Sequence, residues 1–192
     1  MKSSKSTKTS QYRIIAGTWR RRKLAFLPLD GLRPTPDRVR ETLFNWLVAD
    51  IQTSHCLDLF AGSGALGFEA LSRGAASLTS IDLALKAIKL IKQNAEYLQT
   101  NNVYALCSPL PEALNSLDKR YNIVFIDPPY QQYTLIQNCL SILIEKQLLA
   151  DQCKIYIETH KQQSLQLPTT ISIQKQRQFG QVKALLTTFT AV

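Results

Sequence analysis

The chain has 192 residues, of which 45% are apolar, and a formal net charge of +9. This length and apolar content suit one α/β domain with a substantial core and at most a small appendage. No run of about 18 apolar residues is present, so the sequence predicts no membrane-spanning helix. The N-terminus lacks the apolar stretch of a secretory signal, so we expect a cytoplasmic protein, with a transit peptide in residues 1–10 as the alternative.

The chain divides into three predicted parts. Residues 1–10 are polar and basic and are predicted to form a disordered tail. Two short apolar runs, at 13–16 and 23–27, flank a polar turn and predict a β-hairpin, so we interpret residues 11–31 as an N-terminal extension. Residues 32–192 are interpreted as the main domain.

Positive charge is concentrated before the main domain. Eight basic residues and no acidic residue precede Asp30, so this segment accounts for eight of the nine excess positive charges. Cations interleaved with Tyr12 and Trp19 are typical of contact with single-stranded or looped RNA. A solvated tail is the alternative, which we favour for residues 1–10. RNA phosphate contact is predicted for the four consecutive cations of the hairpin turn: Arg20, Arg21, Arg22 and Lys23.

A helix is predicted to follow the hairpin. Thr35 and Pro36 suit its N-cap and first position, and apolar residues at helical spacing continue it to about residue 50. Three arginines near the start of this helix are also predicted to bind RNA phosphates: Arg33, Arg38 and Arg40. The alternative for Arg40 is an ion pair with Asp37 or Glu41 at helical spacing.

From residue 55 onwards, strand and helix patterns alternate. Strands are predicted at 56–60, 78–82, 103–107, 121–126 and 154–158, and helices at 65–72, 85–98, 111–117 and 134–145. This alternation predicts a mostly parallel, doubly wound α/β sheet of the Rossmann-like class. Two last runs, at 171–175 and 183–189, predict an antiparallel hairpin that completes a seven-stranded sheet. His55 and Cys56 have no second cluster of metal-binding residue types, so no metal site is predicted.

The segment 58–67 follows the first core strand and opens a helix. Its glycines match the dinucleotide-binding spacing, and Asp82 ends the next strand, where a partner for a ribose hydroxyl belongs. NAD(P) or FAD would place a pyrophosphate at the helix N-terminus, whereas S-adenosylmethionine has no phosphate. Asp58 favours S-adenosylmethionine, because a carboxylate repels pyrophosphate and attracts the cofactor's ammonium group. Cofactor contacts are predicted at Asp58, Phe60, Ala61, Gly62, Ser63, Gly64, Asp82 and Leu83.

The sequence Asp127-Pro128-Pro129-Tyr130 directly follows the apolar strand at 121–126. Ligands of open α/β sheets bind at the carboxyl ends of strands. Asp127 and the Pro128 carbonyl can accept hydrogen bonds from a planar NH2 group, and Tyr130 can stack on the ring that carries it. The turn therefore predicts a site for a nucleobase amine or a side-chain amide, with a plain strand-to-loop turn as the alternative.

Four stretches together resemble the bacterial 16S rRNA guanine-N2 methyltransferases: 13–19, 32–47, 58–74 and 127–130. The resemblance extends from about residue 11 to Phe189. It implies the class I S-adenosylmethionine-dependent methyltransferase fold, with S-adenosylhomocysteine as product and no metal. It also implies methylation of the N2 amine of a small-subunit guanine in 16S rRNA, within an assembled or partly assembled subunit. The implied catalytic residues are Asp127, Pro128, Pro129 and Tyr130.

Two positions depart from that family's pattern. Cys107-Ser108-Pro109 stands where such enzymes usually carry Asp or Asn, so adenine recognition would fall to the backbone or to Ser108. Arg21 stands where relatives often have glycine. Three alternatives stay open: the same chemistry on DNA adenine or protein glutamine, a nicotinamide oxidoreductase, and an RNA-binding assembly factor with an inactive pocket.

Overall fold

The computed structural model describes residues 10–28, 34–129 and 132–191. Within these residues the strands are β1 (Ser10–Arg13), β2 (Lys23–Phe26), β3 (His55–Asp58), β4 (Ser77–Asp82), β5 (Val103–Cys107), β6 (Tyr121–Ile126), β7 (Leu149–His160), β8 (Ile171–Phe179) and β9 (Val182–Phe189). The helices are α1 (Asp37–Trp46), α2 (Ala65–Ser72), α3 (Leu85–Tyr97) and α4 (Tyr133–Glu145), with a 3₁₀ helix at Glu112–Ser116. Most of the predicted tail, the predicted boundary near residue 31, Arg33 and Tyr130 lie outside the described residues.

The main sheet of the described residues has seven strands in the order β5-β4-β3-β6-β7-β9-β8. The first five of these are parallel to their neighbours, and β9 and β8 are antiparallel. The chain runs outwards from β3 to β5 and then returns to β6 on the other side of β3. This reversal creates a crevice between the carboxyl ends of β3 and β6, where such sheets bind ligands. The predicted Rossmann-like fold with its C-terminal hairpin is confirmed.

The two faces of the sheet have separate apolar cores. One core lies under α4 and the 3₁₀ helix. The other lies under α1, α2 and α3 and includes the N-terminal hairpin through four buried side chains: Tyr12, Ile14, Leu24 and Phe26. The hairpin is therefore packed as part of the sheet's own core. Among the described residues, none of the helices combines the length and the apolar character needed to cross a membrane.

The first hairpin strand lies earlier in the chain than predicted. The apolar run at 13–16 favoured a strand, but β1 ends at Arg13. The N–H groups of Ile15 and Ala16 instead donate hydrogen bonds to the Glu69 carboxylate on α2, at 2.8 and 3.0 Å. Gly17 follows with φ +83, and a Cβ there would lie 1.8 Å from the carbonyl oxygen of Ser72. Only glycine permits this contact between hairpin and helix.

Candidate active site

Four acidic residues lie at the carboxyl ends of four adjacent strands. Asp58 ends β3, Asp82 ends β4, Asp127 follows β6, and Glu158 lies near the end of β7. The register pairs Ile126 with Ile157, so Asp127 and Glu158 come next on neighbouring strands, which are about 4.8 Å apart. We call these four residues the carboxylate cluster.

The glycine loop, residues 59–64, connects β3 to α2. Gly62 and Gly64 have φ values of +50 and +76, which lie in the left-handed region that favours glycine. The Gly62 N–H donates to Asp82 Oδ2 at 2.7 Å, and the Ala84 N–H donates to Asp82 Oδ1 at 2.7 Å. Asp82 therefore fixes the glycine loop to the end of β4. A carboxylate has about four acceptor positions, so capacity remains for a ribose hydroxyl.

The third glycine of the motif has a packing role. A Cβ at Gly67 would lie 2.5 Å from Cδ2 of Leu78 on β4. Its absence lets α2 lie close to the sheet, as the third glycine of this fingerprint does in other α/β folds. The N-terminus of α2 is thereby held against the crevice.

The electrostatics of the cluster suit a cationic ligand. Burial, and then the nearby Asp82 charge, raise the pKa of Asp58 to about 7, against the opposing effect of the Gly67 and Phe60 N–H groups. Burial, followed by Glu158 and Asp58, raises the pKa of Asp127 well above its usual range. No ion pair among the described residues includes a member of the cluster. A positive charge bound beside Asp58 and Asp127 would stabilise the ionised forms of both carboxyl groups.

The other predicted cofactor and catalytic positions lie around this crevice. Phe60, Ala61 and Ser63 belong to the glycine loop, and the Ser108 N–H donates to the Asp82 carbonyl oxygen at 3.2 Å. Leu83 follows Asp82 and is 73% exposed, which leaves its side chain free for a ligand. Asp127 and Pro128 are half-buried and Pro129 is exposed. Their predicted roles remain predictions.

Sequence reasoning missed two residues of this site. Glu158 accepts a hydrogen bond from the Tyr156 hydroxyl group at 2.7 Å, and Tyr156 is fully buried. Alternation along the strand places both side chains on the face that carries Asp127. This alternation in the segment 154–160 was the available signal.

The structure separates the cations of the hairpin turn from the crevice. Arg20, Arg21, Arg22 and Lys23 are exposed and form a surface that we call the basic tip. The preceding Thr18 N–H donates to the carbonyl oxygen of Ser72 at 2.8 Å, and Ser72 ends α2. Because α2 begins at the glycine loop and has eight residues, the basic tip lies about 12 Å or more from that loop. Arg38 is exposed in the first turn of α1.

The prediction that Arg40 contacts RNA is wrong. The Arg40 side chain is 0% exposed, and its guanidinium is held by acceptors of the protein itself, so it is not presented to an RNA phosphate. Its guanidinium donates to the Asp37 carboxylate at 2.7 Å, with further bonds to the carbonyl oxygens of Arg13 and Thr35. A fourth contact joins Arg40 to Glu69 at 3.5 Å. The alternative of an ion pair with Asp37 is therefore the correct one.

In the part of the chain that the structure describes, no group of three or more His, Cys, Asp or Glu side chains could hold a metal ion. The carboxylates of the cluster each extend from a different strand, so they spread along the sheet edge. Their spacing suits an extended ligand that lies across several strands.

The sheet order, the glycine loop and the acidic crevice define a protein with the Rossmann-like class I methyltransferase fold. The chain belongs to the family described as Conserved hypothetical protein 95, whose family model matches residues 12–188.

Similar proteins share most of their length with this chain. The ribosomal RNA small subunit methyltransferase D of Escherichia coli (strain K12) is 41% identical over 183 residues, which cover 95% of this chain and 92% of that protein. The protein of the same name from Haemophilus influenzae is 42% identical over 180 residues, 88% of this chain and 90% of that protein. The solved structure of yhhF from Escherichia coli matches with a TM-score of 0.86 and 41% identity, and the match covers 95% of this chain and 100% of that one.

Proposed function

We propose that this protein is an S-adenosylmethionine-dependent methyltransferase that methylates the exocyclic N2 amine of a guanine in 16S rRNA. The observation that carries the proposal is the position of Asp127, at the mouth of an acidic crevice that also contains the glycine loop. Such a site combines a cofactor cradle with hydrogen-bond acceptors for an amine. The names of the similar proteins from Escherichia coli and Haemophilus influenzae support the rRNA substrate.

The residues present fit the proposed cofactor. Asp58 is buried below the glycine loop, where its carboxylate suits an ammonium group. Asp82 suits the ribose hydroxyls, and Ser108 lies beside it for the adenine. The Gly62 N–H, which would bind pyrophosphate in a dinucleotide site, donates to Asp82 instead. These features favour S-adenosylmethionine over a nicotinamide or flavin dinucleotide.

The proposed methyl transfer requires the protein to activate the guanine N2 amine, which is a weak nucleophile. When bound, S-adenosylmethionine supplies an electrophilic methyl group on a sulfonium. The guanine amine is a poor nucleophile, because its lone pair is delocalised into the ring. The Asp127 carboxylate and the Pro128 carbonyl oxygen would each accept a hydrogen bond from one N–H group of the amine. These two acceptors would stabilise the positive charge that develops on nitrogen. Tyr130, which lies outside the described residues, would stack on the extruded base.

The proposal is tested by supplying labelled S-adenosylmethionine with one of four acceptors: free 16S rRNA, assembled small subunits, DNA, or a protein extract. We expect label in a single N2-methylguanine of 16S rRNA, mapped by nuclease digestion and mass spectrometry. Stronger labelling of subunits than of free RNA would support an assembled substrate. Labelling confined to DNA or protein, or stabilisation against heat by NADH instead of S-adenosylhomocysteine, would refute the proposal.

Cofactor affinity should rise with pH between about 5.5 and 7. Because the pKa of Asp58 is raised to about 7, its carboxyl group is mostly protonated below pH 7 in the unliganded protein. The ammonium group of the ligand binds the ionised carboxylate more tightly than the protonated carboxyl group. Affinity for S-adenosylhomocysteine should therefore increase several-fold over this range, up to about tenfold per unit. Without ligand, the same shift makes the fold less stable as pH rises from about 4 to 7. Calorimetric titration measures the first effect, and Asp58→Asn should bind weakly with a flatter pH profile.

The basic tip is proposed to contact the RNA backbone at a distance from the target base. Its four cations are exposed, and Arg22 lies over the Tyr97 ring at 6.0 Å. A groove of about 460 Å³ lies between the hairpin and the start of α1, and it is lined by Lys23 of the basic tip and by the ion pair of Arg13 with Asp37. An RNA strand that passes from the basic tip to the crevice would span the length of α2. Contacts of this kind position the RNA and do not read its sequence.

Replacing Arg21 by glycine should separate stability from RNA binding. Arg21 has φ +69, a conformation that costs a non-glycine residue about 1 kcal/mol. Arg21→Gly should therefore raise the unfolding free energy by about 0.5–1 kcal/mol, yet weaken RNA binding and lower the slope of log affinity against log salt by about 1. Fluorescence anisotropy at several salt concentrations measures this slope. Lys146→Ala, an exposed cation after α4, is the control, and an unchanged slope in Arg21→Gly would exclude the contact.

A further inference from the structure

We infer that Glu158 accepts a hydrogen bond from the N1–H group of the target base and thereby selects guanine. The inference rests on the proposed function, because it assumes that the N2 amine lies at Asp127. It assigns a base-reading role to a residue outside the Asp-Pro-Pro turn. Guanine presents N1–H and the N2 amine side by side on its Watson–Crick edge, and an extruded base is read on that edge.

The sheet provides two acceptors with the required arrangement. Asp127 and Glu158 directly follow the paired residues Ile126 and Ile157 on adjacent parallel strands. The strands are about 4.8 Å apart, so two carboxylates on one face can each meet one of two neighbouring donors. Adenine presents an acceptor at N1, which a carboxylate at this position would repel.

Tyr156 fixes the orientation of the Glu158 carboxylate. Its hydroxyl group donates to Glu158 Oε1 at 2.7 Å, and its ring is fully buried in the core beneath α1. One oxygen of Glu158 is therefore occupied by a rigid donor, and Oε2 remains to accept a hydrogen bond from a ligand. Glu158 itself is half-buried and takes part in no ion pair among the described residues.

Loss of solvent around Asp127 and Glu158 makes hydrogen-bond donors from a ligand more favourable for both carboxyl groups. Burial raises the pKa of Glu158, against the opposing effect of the Tyr156 hydrogen bond, and burial followed by the Glu158 charge raises that of Asp127. Donors from a bound base stabilise the ionised forms and lower both pKa values again. A base with an acceptor at N1 gives no such compensation, because it would displace water from Glu158 without supplying a hydrogen-bond donor in its place.

The test compares guanine with 2-aminopurine, which keeps the 2-amine but has an acceptor at N1. Each base is placed at the mapped target position of 16S rRNA by ligation of a synthetic segment. We expect the wild-type protein to prefer guanine by at least about a hundredfold in kcat/KM, since sites built to bond a donor reject analogues that lack it. Glu158→Gln should lose at least about tenfold on guanine and gain on 2-aminopurine, because Tyr156 would hold the amide oxygen and turn its NH2 group towards the base.

A second variant tests the orienting role of Tyr156. In Glu158→Gln combined with Tyr156→Phe, the amide can rotate and present its oxygen, so part of the guanine preference should return. Glu145→Gln, an exposed residue at the end of α4, is the control for the same change of side chain. Affinity for S-adenosylhomocysteine should be similar in all variants, which confirms that the crevice is intact.

Each outcome decides a separate question. If the wild-type protein methylates guanine and Glu158→Gln keeps the guanine preference, the inference is wrong and the proposed function stands. An equal loss on both bases also overturns the inference, because Glu158 would then not read N1. If the wild-type protein methylates neither RNA, the proposed function fails together with the inference.

Discussion

Replacement of Asp127 by alanine is expected to lower methyl transfer to 16S rRNA by at least about a hundredfold. Removing one preorganised polar group that stabilises transition-state charge typically costs two to three orders of magnitude in turnover. Here the lost group is the carboxylate that would accept an amine N–H and balance the positive charge on nitrogen. Asp127→Asn keeps one acceptor oxygen without the charge, so its turnover should fall between those of the wild type and the alanine variant.

The Asp127 variants should not lose stability or cofactor binding. Burial and the neighbouring acids already disfavour the ionised carboxyl, so its removal should leave the melting temperature unchanged or higher. Affinity for S-adenosylhomocysteine should change by less than about threefold. Single-turnover assays give the rate, and Asp118→Ala removes an exposed acid before the other end of β6 as a control. Unchanged turnover in Asp127→Ala would exclude Asp127 from the chemistry.

The sequence predicted the sheet and the crevice because both depend on local patterns. β5 and β6 lie at the predicted residues, and α2 has its predicted bounds. Once strands alternate with helices, parallel pairing brings the residues that follow each strand to one edge. The proximity of Asp58, Asp82 and Asp127 therefore followed from the topology.

Contacts between distant segments could not be predicted in the same way. Nothing in the run Ile14-Ile15-Ala16 indicates that its backbone would bind a carboxylate 53 residues away. The burial of Arg40 depends on that same packing, because its guanidinium contacts the Arg13 carbonyl oxygen and the Tyr12 ring of the hairpin. Glu158 was missed for another reason: the segment 154–158 was interpreted only as a strand, and β7 is longer than predicted. The β-propensity of a segment predicts where a strand forms, but it does not predict which residues the side chains of that strand contact.

Glu69 is expected to be the polar side chain with the largest effect on stability. It is fully buried, and its two oxygens accept hydrogen bonds from the backbone of Ile15 and Ala16 and from Arg73 at 2.7 Å, with Arg40 at 3.5 Å. Glu69→Ala would leave two backbone N–H groups without acceptors and Arg40 with one fewer anion. Breaking a buried ion pair in this way typically costs 3–5 kcal/mol. That cost is a large part of the roughly 5–15 kcal/mol that stabilises a domain.

Urea unfolding measures this effect, with Glu96→Ala, an exposed acid on α3, as a control that should change stability by less than about 0.5 kcal/mol. Glu69→Gln keeps the shape and one acceptor, so it should fold even if the alanine variant does not. Because Glu69 holds the hairpin on α2, its loss should also reduce the salt dependence of RNA binding at the basic tip. If Glu69→Ala costs less than about 1 kcal/mol, the apolar side chains of the hairpin would be sufficient to hold it, and the buried network would have little part in presenting the basic tip to RNA.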